Sequence, residues 1–153
     1  MQSLARRAQT ILRQYGAKTR RMKQIQSRID HLRDNASRAT STFTAGNISG
    51  TSGRSRVESA MVKAIDLENQ LLEILEDVSA QRYRIQAAVN NLEDDTEKSI
   101  LEMRYIDQKP WPQITEALHI SEATSYRIHE QALISFWRAY NRRQGKKPQP
   151  GQE

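Results

Sequence analysis

Apolar residues in the first part of the chain fall at Leu4, Ala8, Ile11, Tyr15, Met22, Ile25, Ile29, Leu32 and Ala36. The steps alternate between four and three, the rhythm of a helix that buries one stripe in a coiled coil. Lys18 fills the one polar position in that rhythm, and Gly16 costs the helix roughly 1 kcal/mol relative to alanine. The rhythm returns at Val57, Ala60, Ala64, Leu67, Leu71, Ile74, Val78, Gln81, Ile85, Ala88 and Leu92. Two helices of matching length predict an antiparallel hairpin. A second row on the later helix, Met61, Ile65, Leu72, Leu75 and Val89, widens its apolar face beyond one seam. A two-helix rod buries little surface by itself. Met61, Ile65, Leu72 and Leu75 are therefore expected to make a two-fold homodimer, with cover by the C-terminal helices as the alternative.

Between the two rhythms lies a stretch rich in Ser, Thr and Gly, which predicts a flexible connector over about 40–56. Phe43 and Ile48 stand alone in it, either tucked onto the helices or left as a contact point. After Leu92 the pattern breaks at Asn90–Asp95, where Asp94 or Asp95 can cap a new helix. Ile100, Leu101, Met103, Tyr105 and Ile106 form its apolar face, and Pro110 and Pro112 end it. A short helix follows, burying Ile114 and Leu118. A turn at His119-Ile120 then leads to Ser121, an N-cap type, and to a third helix carrying Ile128, Leu133, Phe136 and Trp137. The last two helices read as a helix-turn-helix. The expected fold is all-α: a long helical hairpin over 1–94, a three-helix domain over 95–141, and a disordered basic tail over 142–153.

Charge adds a partner class. The chain of 153 residues carries a net charge of +6, which favours an anionic partner such as nucleic acid. Residues 1–40 hold ten Lys/Arg against two Asp/Glu, whereas residues 57–95 hold three against nine. The basic excess thus lies mainly in the first helix rather than in the helix-turn-helix. The chain has no cysteine, and His31, His119 and His129 are scattered, so no metal site or cofactor is expected. The apolar runs are too short for a membrane span, and the basic start lacks a leader's apolar core, so a cytoplasmic protein is expected. No glycine-rich phosphate loop or Ser/His/Asp arrangement stands out, and an enzyme is not expected.

Leu101 to Ile106, Trp111 to Ile114 and Ser121 to Leu133 resemble region 4 of bacterial sigma factors. The whole arrangement is similar to phage late-gene transcriptional regulators of the ArpU/RinA kind, over roughly residues 20–140. That resemblance implies a DNA-binding regulator, an activator of phage or prophage genes in a bacterial host cell. It would bind double-stranded DNA as a homodimer, with contact to RNA polymerase as a further expectation. The recognition helix would span about 121–140. Ile114, Leu118, Ile120 and Ile128 match the positions that weld the two helices, and Ser121 matches the N-cap. Glu122, Thr124, Ser125, Tyr126 and Arg127 match residues that reach bases or phosphates. Glu122 as a dipole partner and Tyr126 as a packing residue are the plainer readings. Arg138, Arg142 and Arg143 are phosphate contacts or a solvated basic end. Thr115, His119 and Ser125 depart from the pattern, where alanine, glycine and an apolar residue are usual. Trp111 and Trp137 read as core, and His119 and His129 as exposed polar residues. The alternatives are a DNA-packaging protein resembling a small terminase subunit, or a helical protein-interaction adaptor.

Overall fold

A computed structural model describes residues 2–44 and 51–144. The chain is all-helical there: α1 (Gln2–Thr44), α2 (Thr51–Asn90), α3 (Asp95–Leu101), α4 (Trp111–Leu118) and α5 (Glu122–Gln144). A π-helical turn, Glu102–Ile106, prolongs α3. The expected connector is therefore too long at both ends, since 40–44 continue α1 and 51–56 open α2. The hydroxyl of Thr40 donates to the Ala36 carbonyl at 2.8 Å, which keeps a Ser/Thr-rich stretch compatible with helix. Residues 45–50 lie outside the described residues, and so do the side chains of Phe43 and Ile48. Helix α5 likewise runs past the expected start of the tail at 142, leaving 145–153 outside the described residues.

The chain divides into two compact units: Lys18–Val78, and Met1–Ala17 together with Ser79–Glu153. The expected boundary at residue 94 is thus not where it divides. The first turns of α1 and the end of α2 belong with the C-terminal helices.

In the unit 18–78, α1 and α2 run antiparallel, as two ion pairs record. Lys18 meets Asp77 at 2.6 Å and Arg33 meets Glu68, so rising numbers on one helix meet falling numbers on the other. The basic helix thus lies along the acidic one. Ile25, Ile29, Ala36, Ala64 and Val78 are buried in the seam. Met61, Ile65, Leu72 and Leu75 stay exposed beside it.

The other unit has the larger core. Ala5, Ala8, Leu12 and Tyr15 from α1 are buried there, with Ile85, Ala88, Val89 and Leu92 from α2. Ile100, Leu101, Tyr105, Ile114, Ala132, Leu133, Ile134, Phe136, Ala139 and Tyr140 are buried with them. Burying a side chain of the size of Leu or Phe contributes about 1.5–3 kcal/mol, so this set dominates the unit's stability. Asp94, rather than Asp95, caps α3, accepting from the amides of Thr96 at 2.8 Å and Glu97 at 3.0 Å.

Candidate nucleic-acid interface

Helix α4 starts on Pro110 and Pro112, whose fixed φ suits a first turn. It ends at His119, which adopts the left-handed conformation with φ 54 and ψ 42. A glycine would meet that geometry without steric cost, so the off-pattern histidine sits where the turn demands an uncommon backbone. Its side chain is exposed, as expected. Ser121 then caps α5: its hydroxyl accepts from the Thr124 amide at 3.2 Å and donates to the Thr124 hydroxyl at 2.8 Å. Ile114 is fully buried, while Leu118, Ile120 and Ile128 are half-buried.

The first turns of α5 present Ser121, Glu122, Tyr126 and Arg127 outward, with Thr124 half-buried. Ala123, Glu130 and Gln131 share this exposed surface, and sequence reasoning did not single them out. Glu122 and Tyr126 are tied together, the phenol donating to the carboxylate at 2.9 Å. That bond, with the neighbouring negative charge, raises the Tyr126 pKa. The indole of Trp111 meets the Tyr126 ring edge-on at 5.0 Å. Tyr126 is therefore both a packing residue and an exposed one, at 45% accessibility. Arg127 carries no ion pair among the described residues.

Two expectations are corrected here. Ser125 is fully buried, and its hydroxyl donates to the Glu122 carbonyl at 2.6 Å, so it cannot reach a ligand. It stands at a core position, and bonding within its own turn satisfies the polar atom. His129 is also buried rather than exposed. Its Nε2 lies 2.8 Å from the Tyr105 hydroxyl, and the Trp111 ring meets it edge-on at 5.0 Å. Burial first, then the positive charges of Arg104 and Arg13, lower its pKa to about 4, and the ring is neutral at ordinary pH. Trp111 and Trp137 are half-buried rather than full core residues, and the Arg7 guanidinium lies 5.9 Å from the Trp137 ring.

Arg104 is the residue beside this surface that sequence reasoning missed. Its guanidinium lies 5.2 Å from the Trp111 ring and donates to the Lys109 carbonyl at 3.1 Å. The signal available was the arginine two turns ahead of a Pro-Trp-Pro run. The structure does not gather the later arginines here. Arg138 lies about 16 Å further along the helix axis than Arg127. Arg138 and Arg142 line a cavity of about 270 Å³ with Glu93, Asp94 and Glu97, whose carboxylates offset their charge. Arg143 lines a separate one with Tyr83 and Asn90.

Residues 39–136 match the family described as a protein of unknown function, DUF1492. That span is more than half of the chain, and the chain belongs to that family. No curated protein matches. No solved structure matches either. Among the described residues, no helix is long and apolar enough to cross a membrane, and no group of His, Cys, Asp or Glu could hold a metal ion.

Proposed function

We propose that this protein binds double-stranded DNA and regulates transcription, with the first turns of α5 entering the major groove. The observation that carries this reading is the exposed Arg127, without an ion pair among the described residues, on a helix capped by Ser121 and braced by α4. An arginine so placed can donate two parallel bonds to a guanine edge, a contact worth about 1–3 kcal/mol of discrimination. Glu122 and Tyr126 enter as one bonded pair and offer a carboxylate oxygen and a phenol to the same groove. Arg104, over the Trp111 ring that meets Tyr126, adds positive charge beside it, which supports phosphate contact.

Gel-shift titrations on the upstream regions of phage late genes test this. Arg127→Ala is expected to weaken specific binding by about 10- to 100-fold. Equal binding by the two proteins would remove Arg127 from the interface.

A further inference from the structure

Within the unit 18–78 the apolar residues of α2 form two rows. Ala64 and Val78 are buried in the α1 seam, with Leu67, Leu71 and Ile74 half-buried beside them. The other row lies roughly 100° further round the helix. Met61, Ile65, Leu72 and Leu75 in that row remain 48, 53, 63 and 43% exposed, and Val62 extends its edge at 58%. The row keeps the heptad step, with Glu68 at its centre. The Glu68 carboxylate is held by Arg33, so the central charge of the strip is already neutralised.

The strip reads nearly the same in both directions. Reversed about Glu68, Met61 falls on Leu75, and Ile65 falls on Leu71, one position from Leu72. A two-fold contact requires a surface that is complementary to itself, and this one is. Charge favours the antiparallel sense. Residues 57–78 hold six carboxylates against the single Lys63, so a parallel copy would set Glu58 and Glu76 beside their own counterparts. An antiparallel copy sets Glu76 beside Ala60. At its axis it brings the two Glu68 carboxylates together, each held by its own Arg33. The acidic helix also disfavours a duplex as the occupant. The five apolar side chains leave on the order of 450 Å² open, the size of a typical monomer's largest patch. Two copies cover about 900 Å², and the flanking polar residues bring the contact near the ~1,200 Å² of a stable interface.

We infer that Met61, Ile65, Leu72 and Leu75 pack against the same residues of a second copy, antiparallel, with the two-fold axis passing beside Glu68. This contact is independent of DNA binding, and each can fail without the other.

The chain has no native cysteine, so single introduced cysteines report the geometry directly. In oxidising buffer Glu68→Cys, on the axis, forms a disulfide-linked dimer. Met61→Cys does not, because the two copies of residue 61 stand about 21 Å apart, beyond the ~7 Å Cα separation of a disulfide. Light scattering gives the wild type a mass twice the 17.6 kDa protomer. Leu72→Glu halves it while circular dichroism retains the helix signal. A wild type at one protomer mass overturns the proposal. So does a Leu72→Glu protein that keeps the doubled mass. Equal cross-linking through residues 61 and 68 overturns the antiparallel arrangement.

Discussion

His129 is enclosed by groups that oppose its protonation. The Tyr105 hydroxyl stands 2.8 Å from Nε2, the Trp111 edge closes one side, and Arg104 and Arg13 add positive charge. Burial is the largest cause of its depressed pKa, which falls from 6.5 to about 4. The folded chain therefore binds fewer protons at this site than the unfolded chain at intermediate pH. Its contribution to stability is fully present above pH 6.5 and is lost as pH falls toward 4. Urea unfolding across that window is expected to show a decline of about 2–3 kcal/mol from this one group. His129→Gln should flatten the slope there, and an unchanged slope would detach the titration from His129. Ser125 gives the complementary case: a buried hydroxyl whose one bond closes within its own helical turn and leaves nothing for a ligand.

At the scale of elements, the legible parts were those with local punctuation. Asp94 and Ser121 mark helix starts by side-chain chemistry alone and act as the sequence predicts, while the Pro110–Pro112 pair, expected to end the preceding helix, also opens α4. The π turn had no such mark, because Glu102–Ile106 is apolar and polar in the ordinary helical order. Periodicity also states that a face is covered without naming the cover. The heptad from Leu4 assigned Ile11 to the seam, yet the structure buries Leu12 and half-exposes Ile11. The reason is that the first turns of α1 belong to the C-terminal unit rather than to the hairpin. Arg7 over Trp137 is a contact that no spacing rule foretells. The outward face of α5 was mostly legible, since Glu122, Tyr126 and Arg127 follow from the cap. Arg104 was not, since its place beside Trp111 depends on how α3 and α4 pack. Leu12→Ala tests the role of α1: at 1% exposure it is expected to cost the C-terminal unit about 2–5 kcal/mol. Thermal melts followed by tryptophan fluorescence would register it, because both Trp111 and Trp137 lie in that unit.

For the whole molecule, two continuous helices, α1 and α2, each serve two units of unequal core. Among the described residues, the unit 18–78 buries apolar side chains that are mostly small or β-branched, whereas the other buries large ones such as Phe136, Leu12 and Leu101. Amide exchange along α1 is therefore expected to step near residue 17, with stronger protection before it than after it. Uniform protection through Ala36 would instead mean that the two units open together. The same division orders events in time. Every residue of the unit 18–78 has been synthesised once the ribosome passes Val78, and its contacts are local along the hairpin. The other unit joins residues near 5 to residues near 136, so it stays incomplete until residues near 136 have been made. At ~5–20 residues per second, the apolar face of Ala5, Ala8, Leu12 and Tyr15 waits several seconds for its partners. During that interval the growing chain carries an uncovered apolar helix face, a natural substrate for chaperones.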